Sequence, residues 1–73
     1  MKPDLGKVSE LFKVTRQALN LSQVEFAKMF GTTQSNISHI EAGKNNPRGD
    51  MTLAVVEKYL FIEGILKQKF FFD

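Results

Sequence analysis

Short segments with helical apolar spacing alternate along this chain with polar or glycine-containing junctions. Over residues 5–19, apolar or small side chains recur at the intervals of three and four residues that place them on one side of a helix. Pro3 and Asp4 suit the start of such a helix. Its inward positions are Leu5, Val8, Leu11, Phe12, Thr15, Ala18 and Leu19. The pattern predicts a first helix over residues 5–19.

The segment SQVE at residues 22–25 predicts the start of a second helix. It forms a capping box, because the Ser22 hydroxyl can accept a hydrogen bond from the Glu25 amide while the Glu25 carboxylate reaches back. This helix is predicted to begin at Gln23 and to stop at Gly31. Its predicted buried residues are Phe26, Ala27 and Phe30.

A third helix is predicted from Gln34 to about Ala42, with Thr33 as its N-terminal cap and Gly43 as a left-handed terminator. Its two isoleucines lie three residues apart, as a buried side requires. The other side carries amides and hydroxyls rather than the Lys and Glu that are typical of a surface facing only water. These side chains are Gln34, Ser35, Ser38 and His39. We interpret them as a surface that recognises hydrogen-bonding groups.

A fourth helix is predicted to follow a loop over residues 43–49, in which Pro47 prevents simple helix continuation. Asp50 is the predicted cap of this helix. Its apolar positions are Leu53, Val56, Tyr59 and Leu60. Beyond Gly64, the segment ILKQKFFFD is compatible with a last helical turn, a fifth helix or a strand.

Length and composition indicate one small domain. The chain has 73 residues, no Cys, a net charge of +2 and a pI near 9.1. The N-terminal residues lack an apolar signal core, and no run approaches the ~18 apolar residues of a membrane span. We therefore expect a soluble, cytoplasmic protein in a reducing compartment. The mild basic excess permits a nucleic-acid partner without requiring one.

The junction between the second and third helices has helix-turn-helix character. Only GTT, residues 31–33, separates them; Ala27 is small enough for close approach of the helices, and Gly31 can adopt positive φ. Ile37 and Ile40 anchor the third helix from below. In this geometry the second helix of the pair enters the DNA major groove.

The spacing from Gln23 through Ala27, Gly31 and Ile37 to Glu41 resembles the lambda-repressor-like (Cro-like, XRE) family over roughly residues 8–60. The segment GTTQ is most similar to the small lambdoid phage repressors. The resemblance implies an all-α bundle of four or five helices that forms a single domain over residues 1–73, with its motif in residues 22–42. It also implies a regulator of transcription, most often a dimeric repressor of bacterial or phage origin that reads a palindromic double-stranded DNA operator.

The resemblance also assigns roles to individual residues. Gln23 matches a glutamine that bonds a DNA phosphate, and Gln34 matches a base-reading position, where its amide can pair with adenine N6 and N7. The full base-reading set is Thr33, Gln34, Ser35, Ser38 and His39. The phosphate-binding set is Ser22, Gln23, Asn36, Lys44, Asn45, Asn46 and Arg48. The alternative for both sets is a solvated polar surface or turn.

Arg16 and Glu41 match a pair found in the phage-repressor branch of the family. A planar, bidentate bond between them would hold the third helix against the first. The alternative is two unrelated surface charges.

The sequence does not indicate an enzyme or a metal site. His39 is the single histidine, whereas zinc needs about four ligands of the His, Cys or carboxylate kind. Ser35 and Ser38 would lie on an open helix without an oxyanion hole or an orienting acid, which argues against a hydrolase. We expect no cofactor and no small-molecule ligand.

Apolar residues after the fourth helix are too numerous for one side of a single element. They are Phe61, Ile62, Ile65, Leu66, Phe70, Phe71 and Phe72. Since an apolar circumference implies burial from more than one side, we expect residues 61–73 to cover the core in part and to form a homodimer interface. Two alternatives stay open: an antitoxin-like protein-interaction module with secondary DNA binding, and a domain excised from a larger repressor.

Overall fold

The structure, a computed structural model, describes residues 7–72, with side chains described through residue 64. Its helices are α1 (Val8–Ala18), α2 (Gln23–Met29), α3 (Gln34–Glu41) and α4 (Gly49–Phe72). No strand occurs within residues 7–72. The predicted all-helical bundle is confirmed, with four helices in this part of the chain.

The first three helices end in the same left-handed turn, a Schellman motif. Positive φ angles occur directly after their C-terminal caps, at Asn20 (59°), Gly31 (64°) and Gly43 (76°). The next N–H in each turn bonds a carbonyl five residues earlier: Leu21 to Arg16 at 3.1 Å, Thr32 to Ala27 at 3.0 Å and Lys44 to His39 at 2.8 Å. The predictions for Gly31 and Gly43 are confirmed. Asn20 was not predicted, although asparagine adopts this conformation more readily than most residues.

Side-chain caps begin α2 and α3. Ser22 Oγ accepts from the Glu25 amide at 3.1 Å and Glu25 Oε1 accepts from the Ser22 amide at 2.9 Å, so the predicted capping box is confirmed. Thr33 Oγ1 accepts from the Asn36 amide at 3.1 Å. Hydrogen bonds from the backbone and side chain of Ser22 lower the pKa of Glu25. The capping contribution is therefore complete above the ordinary carboxyl pKa and is lost as the pH falls through the lowered value.

The predicted starts of α1 and α4 are wrong by a few residues. α1 begins at Val8 rather than at residue 5, because Lys7 is extended (φ −110°, ψ 108°); residues 1–6, including the predicted start at Pro3 and Asp4, lie outside the described residues. Asp50 does not cap α4, since the helix already begins at Gly49 and Asp50 lies in its first turn. A carboxylate there is still favoured by the helix dipole.

The segment after Gly64 continues α4 without interruption to Phe72. A separate fifth helix and a strand are thereby excluded for residues 64–72. Glycine inside a helix is only about 1 kcal/mol less favourable than alanine. The neighbouring Glu, Leu and Lys residues are good helix formers, and their helix propensity offsets this cost.

The core forms where α1 packs against α3 and α4 and α2 packs against α3. Its buried apolar residues are Leu11, Phe12, Phe26, Ala27, Ile37, Ile40, Met51 and Val55. The ring of Phe26 meets Phe12 and Phe30 edge to face, with centroids 6.2 and 5.0 Å apart, which suits the aromatic quadrupoles. Phe30, predicted to be buried, is only half-buried.

The inward side of α4 agrees with the predicted one only in part, since Val56 and Tyr59 pack against the core as half-buried residues. Met51 and Val55 are buried, whereas Leu53 and Leu60 are 61% and 58% exposed. At 100° per residue, Leu53 and Leu60 both fall on the side opposite Met51. α4 is thus apolar on its outer side as well. Within the described residues, no helix combines the length and the apolar composition that crossing a bilayer requires.

Gly64 and Gly31 provide a matched test of backbone conformation, because an added Cβ would meet nothing within 4 Å at either position and only Gly31 has positive φ. We expect Gly64→Ala to raise the free energy of unfolding by up to ~1 kcal/mol and Gly31→Ala to lower it by ~1 kcal/mol or more. Urea unfolding followed by circular dichroism measures both changes. A loss of stability in Gly64→Ala would instead show that another surface packs against this side of α4.

Candidate nucleic-acid interface

α3 has one buried side and one open side. Ile37 and Ile40 are 0% and 1% exposed, and they hold the helix on the core as the isoleucine spacing predicts. On the open side, Gln34, Ser35 and His39 are exposed and Ser38 is half-buried. Thr33 is exposed at the cap. The candidate base-reading residues therefore share one polar edge of α3, which we call the recognition edge (Thr33, Gln34, Ser35, Ser38 and His39).

The first residues of α2 and α3 are in direct contact. Gln34 Nε2 donates to Gln23 Oε1 at 2.7 Å. Both amides stand at helix N-termini, where backbone N–H groups and the helix dipole favour a negatively charged group. The structure thus joins one candidate phosphate-binding residue to one candidate base-reading residue.

Arg16 connects three parts of the fold. Its Nε and Nη2 donate to Glu41 Oε2 and Oε1 at 2.7 and 3.1 Å, a bidentate ion pair between α1 and the end of α3. Its Nη1 donates to the Leu21 carbonyl at 2.8 Å. The side chains of Arg16 and Glu41 are 14% and 5% exposed, so removal of either partner leaves the other charge largely desolvated.

Glu41 also contacts α2. Gln23 Nε2 donates to Glu41 Oε1 at 3.2 Å. Together with the Gln34–Gln23 bond, this contact produces a continuous relay from Arg16 through Glu41 and Gln23 to Gln34, which we call the amide relay.

A second network lies at the other flank of α3. Asn36 Nδ2 donates to Thr32 Oγ1 at 2.9 Å, and Asn45 Nδ2 donates to Asn36 Oδ1 at 3.4 Å. The backbone N–H of Asn45 also donates to the backbone carbonyl of His39 at 3.3 Å. The turn before α3 and the loop after it are therefore linked across the helix. Thr32 was missed in the sequence analysis, although its spacing of four residues from Asn36 is a recognisable signal.

The remaining candidate phosphate-binding residues differ in whether their side chains already contact another part of the protein. Ser22, Lys44 and Asn46 are exposed. Arg48, also exposed, instead reaches back to α2, where Nη2 donates to the Phe30 carbonyl at 3.3 Å, and Nε lies 3.3 Å from Asp50 Oδ1. Arg48 therefore joins the loop to the end of α2.

An apolar groove lies away from the recognition edge, between the end of α1, the end of α2 and the middle of α4. Its volume is about 540 Å³, and it is lined by Leu19, Leu21, Met29, Glu57, Lys58, Phe61 and Ile62. Phe61 is 69% exposed and Ile62 is half-buried. Two apolar side chains of α2, Val24 and Met29, are 49% and 48% exposed. The side chains of Ile65, Leu66, Phe70, Phe71 and Phe72 lie outside the described part of the structure.

Among the described residues, no group of three or more His, Cys, Asp or Glu side chains could hold a metal ion.

The close α2–α3 pair, the left-handed turn at Gly31 and the polar recognition edge on α3 are the features of a helix-turn-helix, a motif in which the second helix of the pair generally enters the DNA major groove. The helix-turn-helix family profile matches residues 12–59, which is more than half of the chain. The protein belongs to this family, the XRE or lambda-repressor-like helix-turn-helix DNA-binding regulators. Comparisons with curated proteins and with solved structures gave no match.

Removal of one member of the Arg16–Glu41 pair should destabilise the fold. We expect Glu41→Ala to lower the free energy of unfolding by about 2–4 kcal/mol, because the Arg16 guanidinium would remain largely desolvated. The double substitution Arg16→Met with Glu41→Leu should recover part of this loss, since it removes both charges. Thermal and urea unfolding of the parent and the two variants checks this, and a Glu41→Ala protein that unfolds like the parent would show that the pair contributes nothing.

Proposed function

We propose that this protein is a sequence-specific, double-stranded DNA-binding regulator of transcription that acts as a dimeric repressor at a palindromic operator in the cytoplasm of a bacterial cell. The observation that carries the proposal is the recognition edge: a mostly exposed, nearly uncharged row of one amide, three hydroxyls and one imidazole on the second helix of a helix-turn-helix. Such groups match the donors and acceptors that base pairs present in the major groove.

Within this proposal, Gln34 reads a base. The described structure leaves its Oε1 and one of its N–H groups without a protein partner, and an amide with one donor and one acceptor matches adenine N7 and N6. Ser35, Ser38 and His39 add donors and acceptors that do not specify one base. Thr33 offers its methyl group to a thymine methyl.

Phosphate contacts would hold this edge in register. Gln23 and Ser22 supply donors at the start of α2, while Asn36, Lys44, Asn45 and Asn46 flank α3 on its other side. Arg48 supports this surface through its bond to the Phe30 carbonyl, and we also count it among the phosphate-binding residues.

Dimerisation follows from the size of the recognition edge. One short helix contacts few base pairs, too few to select a unique genomic site, whereas two copies would read half-sites about one helical turn, ~34 Å, apart. The surface that best suits a twofold contact is the apolar groove with Phe61 and Ile62. The sequence adds Ile65, Leu66 and Phe70–Phe72 to the proposed interface, and their side chains lie outside the described part of the structure. Lys58 and Glu57 at its rim offer opposite charges to a symmetry-related copy.

The same groove favours a second candidate function. In an antitoxin-like protein it would receive a segment of a different protein, and DNA binding would be secondary. A gel-shift titration separates the two functions: selective, nanomolar binding by the protein alone supports the repressor, whereas weak binding until a partner is added supports the second candidate.

Gln34 and Gln23 should differ in what they contribute to DNA binding. After an operator is selected from a random DNA library, Gln34→Ala should weaken operator binding by ~1–3 kcal/mol while binding to random DNA stays nearly unchanged. Gln23→Ala should weaken binding to random DNA too, because a phosphate contact that does not depend on base sequence is lost. Equal losses on both DNAs for Gln34→Ala would contradict its assignment as a base reader.

Phe61 should contribute to dimerisation, with Leu53 as the matched control. Both are exposed apolar residues of α4, at 69% and 61%, but only Phe61 lines the groove. We expect Phe61→Ser to shift the protein toward monomer in sedimentation velocity and to weaken operator binding, whereas Leu53→Ser should do neither. A parent protein that stays monomeric at high micromolar concentration and binds its operator unpaired would overturn the dimer proposal.

A further inference from the structure

We propose that Glu41 is a positioning residue for base choice: through the amide relay, its carboxylate fixes the orientation of the Gln23 and Gln34 amides so that Gln34 presents the pattern complementary to adenine rather than guanine. This inference rests on the proposed function, because it assigns the base preference of the recognition edge to a residue that lies behind it.

The first step is at Glu41. An ionised carboxylate only accepts hydrogen bonds, and this one is 5% exposed and bound to two N–H groups of Arg16. A neighbouring amide can therefore face it only with its NH2 group. Gln23 does so, with Nε2 3.2 Å from Glu41 Oε1. The opposite orientation would place two acceptor oxygens against each other in a poorly hydrated site, where an unpaired polar group is costly.

The second step passes this orientation to α3. Because the Gln23 amide is planar, directing Nε2 at Glu41 directs Oε1 elsewhere, and it accepts from Gln34 Nε2 at 2.7 Å. Gln34 must then use one of its two N–H groups for this bond. Its second N–H and its Oε1 have no partner among the described residues.

The third step is base choice. One donor beside one acceptor fits adenine, which presents N7 as an acceptor and N6 as a donor, whereas guanine presents two acceptors, N7 and O6. If both amides were reversed, Gln34 would accept from Gln23 with its oxygen and would turn two N–H donors toward the DNA, the pattern that suits guanine. The negative charge at Glu41 disfavours this reversed relay.

Glu41→Gln tests the relay with little change of shape. A glutamine at this position can face Gln23 with either its oxygen or its NH2 group, so both relay orientations become accessible. We expect the parent to prefer the operator with adenine at the Gln34-dependent position over the guanine variant by roughly 5- to 150-fold. In Glu41→Gln this ratio should fall toward equal affinity. The position is defined as the one at which Gln34→Ala abolishes base preference.

Arg16→Lys is the matched control. It weakens the ion pair and removes the bond to the Leu21 carbonyl, but it leaves a carboxylate facing Gln23. Its stability should fall while its adenine-to-guanine ratio stays that of the parent. Should Arg16→Lys lose the ratio as fully as Glu41→Gln, Glu41 acts only by holding the fold, and the inference is overturned. It is also overturned if folded Glu41→Gln keeps the ratio of the parent.

If Glu41→Gln does not fold, Gln23→Leu is the variant that tests the relay. It interrupts the relay while the Arg16–Glu41 pair is intact, and the adenine-to-guanine ratio should again fall toward equal affinity; an unchanged ratio overturns the inference. All ratios are measured at a temperature at which circular dichroism shows the variants to be folded.

A measurement without DNA separates this inference from the proposed function. In the NMR spectrum of the free protein, the side-chain NH2 signals of Gln34 should shift in Glu41→Gln, although Gln34 is hydrogen-bonded to Gln23 and not to residue 41, and should stay in place in Arg16→Lys. If the parent binds no DNA selectively, the proposed function fails whatever these signals do. If it binds selectively and the Gln34 signals do not respond to Glu41→Gln, the relay alone fails.

Discussion

The bidentate ion pair between Arg16 and Glu41 is the interaction on which the rest of this structure depends. A single guanidinium joins α1 to the end of α3 and, through the Leu21 carbonyl, to the turn that precedes α2. Because both side chains are largely shielded from water, neither can lose its partner without leaving a desolvated charge. The pair therefore acts as a geometric constraint: the angle at which α3 presents its recognition edge is coupled to the position of α1.

Apolar packing and local turns supply what one ion pair cannot. Ile37 and Ile40 hold α3 on a core whose aromatic part is the Phe12, Phe26 and Phe30 cluster. A left-handed turn ends each of α1, α2 and α3 directly after its C-terminal cap. The N–H groups of these turns bond carbonyls of the last helical turn that would otherwise lack a hydrogen-bond partner. A chain of this size buries a limited core, so short, well-terminated helices matter to the rigidity of the motif. The small core also leaves Leu53 and Leu60 exposed on the outer side of α4, apart from the groove that is proposed as the partner surface.

Helix caps and turns were predictable from the sequence wherever they depend on residues only a few positions apart. The capping box at Ser22 and Glu25, the cap at Thr33 and the positive φ at Gly31 and Gly43 each depend on one side chain and its neighbours. Predictions failed where the signal was ambiguous. Asp50 is a good cap by type, yet α4 begins before it. For the segment after Gly64 the sequence left a helical turn, a fifth helix and a strand open, because glycine is only a weak helix breaker.

Sequence alone determined the existence and order of the helices, the terminators of α2 and α3, the buried isoleucines of α3 and the family to which the chain is similar, since these follow from spacing and local conformational preference. Tertiary structure decided which side of α4 is buried, because the contact with α1 selects Met51 and Val55 over Leu53 and Leu60. It also decided that Gln34, Gln23 and Glu41 form one hydrogen-bonded relay. Gln23 lies 11 positions from Gln34 and 18 positions from Glu41 in the chain. Hydrogen bonds at such separations form only once packing has brought the start of α2 next to both termini of α3.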